Sequence, residues 1–68
     1  MENALATVIL NARKAKGYTL AQVSLMTDVS VSYLSDIERG RKTPRLQALK
    51  RIINALDIPT DKIFSGHM

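Results

Sequence analysis

The stretch Thr19-Leu20-Ala21-Gln22-Val23-Ser24-Leu25-Met26-Thr27-Asp28-Val29-Ser30-Val31-Ser32-Tyr33-Leu34-Ser35-Asp36-Ile37-Glu38-Arg39-Gly40 decides the fold. Thr19 and Gln22 have capping-box spacing: the hydroxyl accepts from the third helical amide, and the glutamine reaches back to the cap's own N–H. This helix runs to about Met26, and Asp28 and Val29 interrupt it. Ser30 then offers an N-cap for a second helix. Leu34 and Ile37 lie on its inner side, while Val31, Ser32, Ser35 and Asp36 fall on other faces. Gly40 ends it, and Arg41-Lys42-Thr43-Pro44 reads as a loop.

The flanks continue the helical pattern. Leu5, Val8, Ile9 and Ala12 follow the i, i+3, i+4, i+7 spacing of an amphipathic helix. Gly17 ends that helix, with Lys14 and Lys16 in its last turn, where the backbone dipole favours cations. Thr43-Pro44 predicts an N-cap followed by proline at the first helical position. Leu46, Leu49, Ile52, Ile53 and Leu56 then form an apolar stripe; Asp57 stops the helix and Pro59 prevents its continuation. Thr60 to Phe64 has room for one further short turn. No segment alternates with the period of a half-buried strand. The expectation is an all-α fold of five short helices, with residues 1–64 as one domain and 65–68 as a disordered tail or cloning remnant.

A chain of 68 residues buries only about 60% of its unfolded surface, so its stability is marginal. It has no cysteine, and its lone histidine, His67, has no partner ligand. Neither a disulfide nor a metal is expected to staple the fold, and no cofactor is expected. The core must come from aliphatic packing, with self-association as possible help. No apolar run approaches the roughly 20 residues that span a bilayer, and no targeting segment is visible, which reads as a soluble, cytoplasmic protein. No Gly-rich phosphate loop or catalytic triad is present, which argues against an enzyme.

The net charge is +4. Arg39, Arg41, Lys42, Arg45, Lys50 and Arg51 carry six of the ten basic residues, with no acid between residues 39 and 51. Such a cluster is either a solvated charged face or a field that attracts a polyanion. Two short helices joined by a tight turn suit the second reading. One helix protrudes into a DNA major groove about 12 Å wide, and the other braces it across the backbone.

The runs Thr19 to Ser24 and Val29 to Gly40 resemble the lambda-repressor-like (Cro/CI, xenobiotic-response-element type) helix-turn-helix family. Thr43-Pro44, the Leu46/Leu49/Ile52/Leu56 stripe and Asp61-Lys62-Ile63-Phe64 are similar to that family's closing helices. The resemblance covers about residues 6–64, and Ser32-Tyr33-Leu34-Ser35 with Ile37-Glu38-Arg39-Gly40 is its most specific part. It implies that Ser30, Val31, Ser32, Ser35 and Asp36 read bases. It also implies that Thr19, Tyr33 (through its hydroxyl), Arg39, Arg41, Lys42 and Arg45 meet phosphates. Arg13 matches a family arginine that pairs with the glutamate of the Glu-Arg-Gly piece, here Glu38, tying the first helix to the recognition helix. The chain departs from the pattern at Leu20, where a glutamine is frequent, at Ser24 for alanine, at Asp28 for the turn glycine, and at Val31 for a polar residue.

What the resemblance implies is a transcriptional regulator, a repressor by preference, that binds palindromic double-stranded operator DNA as a homodimer. Its half-sites would lie about 34–36 Å apart. Ile58, Pro59, Ile63 and Phe64 are the dimer candidates, although Ile63 and Phe64 read first as lids over the fourth helix. Leu25 and Met26 stand at places that are usually polar. They are expected to pack against the first helix or the tail; the sharper reading joins them with Leu20 in a patch for a protein partner. A protein-interaction module of the same fold, including the antitoxin of a toxin–antitoxin pair, is the alternative function.

Overall fold

The computed structural model describes residues 4–59. Four helices occupy them: α1 Ala4–Lys16, α2 Leu20–Thr27, α3 Val31–Glu38 and α4 Leu46–Leu56. No strand occurs among the described residues. The turn expected at Thr60 to Phe64, and with it Ile63, Phe64 and the 65–68 tail, lies outside them.

The local signals that start α2 and α3, and those that stop α1, α2 and α4, act as read. Thr19 Oγ1 accepts from the Gln22 amide, and Gln22 Oε1 accepts from the Thr19 amide, closing the capping box. Ser30 Oγ accepts from the Tyr33 amide at the head of α3. Gly17 ends α1 at φ +73°, with open space where a Cβ would stand. Two aspartates take the same left-handed conformation: Asp28 after α2 (φ 60°) and Asp57 after α4 (φ 52°). Aspartate is among the few L residues that visit this region as single residues.

α2 packs against α3 and α4, and α1 packs against α3 and α4. The two motif helices are therefore braced from outside the motif, α2 by α4 and α3 by α1. Ile9 of α1, Val23 of α2, Val29 of the turn, Leu34 and Ile37 of α3, Ile52 and Leu56 of α4, and Ile58 beyond it form one buried cluster. Each of these side chains contributes roughly 1.5–3 kcal/mol on burial. Lys16 Nζ and Asp57 Oδ2, 2.7 Å apart, pin the end of α1 to the end of α4 at the surface.

Four expectations are corrected. First, α4 begins later than Thr43-Pro44 suggests: its N-cap is Arg45, with no side-chain cap. Pro44 is buried in the segment before the helix, and the Arg45 amide donates to the Tyr33 hydroxyl at 3.0 Å. Docking of the proline delays the first helical turn. Second, Leu46 is 64% exposed rather than part of the buried stripe, because it now opens the helix with no earlier turn beside it. Third, Leu25 is 87% and Met26 47% exposed. Val23 and Thr27, one turn apart, are the α2 residues that face inward, which puts Leu25 on the outer side and Met26 at the flank. Fourth, Ile58 is only 4% exposed. Its amide donates to the Ile53 carbonyl as the chain turns back after Asp57, and its side chain completes the core, so it is not a surface for a second subunit.

Candidate nucleic-acid interface

Thr27, buried and polar, braces the turn between α2 and α3. Its hydroxyl donates to the Val23 carbonyl at 2.7 Å and accepts from the Val29 amide at 3.3 Å. The Asp28 amide donates to the Ser24 carbonyl at 2.8 Å. With these bonds made, Val29 can be buried without leaving its backbone donor unpaired, which is the condition for burying a turn. Sequence reading missed Thr27; a threonine four residues after a core valine, just before a left-handed residue, was the available signal.

Leu34 and Ile37 anchor α3 to the core. Ser32, Ser35 and Asp36, at i, i+3 and i+4, share the face turned away from that core. Ser32 is exposed, and Ser35 and Asp36 are partly covered. Val31 lies at the edge of this face, with 43% of its surface exposed. Ser30 is exposed too, but its oxygen already accepts the Tyr33 amide. What Ser30 can still offer outward is its hydroxyl hydrogen.

The far end of α3 is braced by Arg13. Its Nε donates to Glu38 Oε2 at 2.7 Å and its Nη2 to Glu38 Oε1 at 3.0 Å. A third donor, Nη1, reaches the Tyr18 carbonyl at 2.8 Å. The Arg13 and Glu38 side chains are 16% and 8% exposed. The hydrogen bonds to Glu38 hold the guanidinium above the usual arginine range, against the opposing effect of burial. The fork therefore ties α1 to α3 with charge-assisted, two-point geometry.

Beyond α3 the chain turns at Gly40 (φ +76°). The Asp36 carbonyl accepts from the Arg41 amide at 2.8 Å and the Lys42 amide at 3.3 Å. Arg39, Arg41, Lys42 and Arg45 are all exposed. Lys42 Nζ sits 5.7 Å from the centre of the Tyr33 ring and 3.6 Å from Asp36 Oδ2. Tyr33 is partly buried, and its hydroxyl accepts the Arg45 amide. That oxygen keeps its hydrogen available to a phosphate, but its position is fixed by α4. Thr19, the remaining phosphate candidate, is exposed at the head of α2 with its oxygen in the capping box.

The arrangement is a short helix with a polar outer face, anchored by two buried aliphatics, set beside a row of exposed cations. No group of His, Cys, Asp and Glu among the described residues could hold a metal ion. No helix among them is long and apolar enough to cross a membrane. These features define a DNA-binding helix-turn-helix domain. The chain belongs to the helix-turn-helix family of Cro/C1 type, matching it over residues 9–63; the family is one of DNA-binding rather than catalytic domains.

Named relatives agree. The chain is 48% identical over 52 residues to the transcriptional regulator ClgR of Mycobacterium tuberculosis, covering 76% of this chain and 46% of that protein. It is 39% identical over 63 residues to the HTH-type transcriptional regulator SlrR of Bacillus subtilis, covering 91% of this chain and 41% of the relative. With the HTH-type transcriptional regulator SinR of Bacillus subtilis it shares 43% identity over 47 residues, 68% of this chain and 42% of the relative. The chain thus spans less than half the length of each of these three relatives.

Proposed function

We propose that this chain is the DNA-reading part of a sequence-specific transcriptional regulator, acting as a repressor on palindromic operator DNA. α3 enters the major groove, with Ser32, Ser35 and Asp36 over base edges and Val31 against a thymine methyl. Ser30 adds a hydroxyl donor at the helix head. Arg39, Arg41, Lys42, Arg45, Tyr33 and Thr19 line the phosphates on either side and supply the salt-dependent part of the affinity. The observation that carries this reading is the polar outer face of α3 beside the exposed cations of residues 39–45. The relatives, named as transcriptional regulators, support it.

Two such units on one operator require a two-fold partner, and a homodimer is the commonest way to supply one. With Ile58 in the core, contact between copies falls to Pro59 and the residues after it, or to a further segment of a longer protein. The test is DNA binding across a salt series. Affinity should fall steeply between about 50 and 200 mM salt, with a slope near 0.9 per phosphate neutralised; a flat response defeats the proposal.

A second reading has one specific observation in its favour. Leu25 at 87% and Met26 at 47% exposure give α2 an apolar outer edge that DNA docking of α3 leaves unused. A protein-interaction role, with or without DNA binding, would use that edge. Leu20, placed with them on sequence grounds, instead packs partly against the core. Binding that survives high salt but is lost on replacing Leu25 and Met26 with glutamate would favour this reading.

A further inference from the structure

Asp36 and Lys42 meet at the point where the reading helix gives way to the phosphate-facing loop. The Asp36 backbone carbonyl receives the Arg41 and Lys42 amides, which folds the loop back over the end of α3. Lys42 Nζ then lies 3.6 Å from Asp36 Oδ2, with the lysine side chain 59% and the aspartate side chain 24% exposed. The ammonium also lies over the face of the Tyr33 ring, 5.7 Å from its centre. Tyr33 is itself fixed by the Arg45 amide on its hydroxyl. One cation of the phosphate row is therefore neutralised within the domain, by a carboxylate on the face that reads bases.

We infer that Asp36 is a specificity-determining residue that acts by exchanging partners. On DNA without the right base, Asp36 keeps Lys42, so that lysine neutralises no phosphate, and the carboxylate repels the backbone. Where a cytosine lies beneath Asp36, the carboxylate accepts its N4 amine, the pairing that suits an acidic side chain in the major groove. Lys42 is then released to a phosphate. A single-point ion pair at 3.6 Å, with its lysine largely exposed, is weak enough for this exchange to be readily made. The identity of one base pair thereby sets the number of phosphates contacted, and the same residue that recognises cytosine penalises other sequences. This inference rests on the DNA-binding reading above.

The test compares salt slopes. The 68-residue chain selects duplexes from a random pool. Binding is then measured across a salt series on the selected duplex, on duplexes with each of its cytosines replaced in turn, and on nonspecific DNA. For the unaltered protein, one cytosine replacement should lower the slope by about 0.9 per half-site, the value of one phosphate contact. In Asp36→Asn the carboxylate is gone but the carbonyl that holds the loop remains. That variant should bind nonspecific DNA roughly five- to tenfold tighter at about 0.1 M salt, with a slope steeper by about 0.9, and should lose the cytosine preference. Lys42→Met should lower the slope on the selected duplex and leave the nonspecific slope unchanged. Thermal melting of both variants checks that they fold. If slopes are equal with and without every cytosine, or if Asp36→Asn binds nonspecific DNA as the parent does, the partner exchange is wrong while the DNA-binding reading stands. If the parent binds no DNA in a salt-dependent way, both fall together.

Discussion

Arg13 and Glu38 meet through a two-point fork, Nε to Oε2 at 2.7 Å and Nη2 to Oε1 at 3.0 Å, across 25 residues of chain. Both side chains are largely covered, so removing one partner strands a charge. Glu38→Ala should cost toward the lower end of about 3–5 kcal/mol, since the pair is not fully dry. Arg13→Lys should recover only part of the loss, because an ammonium cannot reproduce the planar fork. Urea denaturation of the three proteins checks the order. The folded-state value of Arg13 is raised, so its contribution is complete below the ordinary arginine range and is lost only as pH rises through the higher folded value. Loss of charge at Arg13 should therefore play no part in unfolding from neutral to moderately alkaline pH.

Asp28 holds a left-handed conformation at φ 60° in the turn that positions α3. Replacing it with alanine keeps the Cβ and discards a side chain tolerant of that region, at a cost of about 1 kcal/mol. Asp28→Gly removes the Cβ strain but gives the unfolded chain more freedom, so the net gain should be under about 1 kcal/mol. Equal melting temperatures for the alanine and glycine variants would show that the turn carries no strain.

Thr27→Val is nearly isosteric but deletes the oxygen that accepts the Val29 amide. A buried donor is left unpaired, which costs about 1–3 kcal/mol. Amide exchange at Val29 should accelerate more than at core amides such as Leu34, whose donor is paired with the Ser30 carbonyl.

Leu25→Glu should leave stability within about 0.5 kcal/mol of the parent, because the side chain is exposed and makes no part of the core. Leu34→Ala, at 1% exposure, should cost about 2–5 kcal/mol. A large loss from Leu25→Glu in chemical denaturation would mean that this edge is covered in the folded domain.

Arg39→Ala with Arg41→Ala should weaken DNA binding by a similar factor on every sequence and lower the salt slope by roughly 1–2. Ser32→Ala should instead change base preference, by about 1–3 kcal/mol at the affected base pair. Binding-site selection with each variant separates the two. A changed consensus from the arginine pair and an unchanged one from Ser32→Ala would reverse the assigned docking.

Much of the fold was legible because its punctuation is local. A capping hydroxyl and its amide lie three residues apart, as at Thr19 and Gln22 or Ser30 and Tyr33. The helix stops at Gly17, Asp28 and Asp57 are written in residues that accept positive φ. The inward positions of α3 follow from spacing alone, and the Arg13–Glu38 pair followed from family resemblance. Burial was less legible, because it depends on what arrives from elsewhere in the chain. Pro44 takes a buried place and leaves Leu46 in solvent; Ile58 returns to the core; among the described residues, Leu25 stays almost wholly exposed and Met26 about half exposed.

The same division runs through the reading surface. Sequence alone determined which residues α3 offers outward and that a cluster of cations follows it, since helical spacing and charge are properties of the chain. Only the tertiary structure decided how those groups are paired. It placed Tyr33 under the Arg45 amide and Asp36 against Lys42, contacts that exist because the loop after Gly40 folds back over the helix. A side chain's chemistry is fixed by its type, whereas its free hydrogen-bonding and charge capacity is whatever its neighbours in space leave unused.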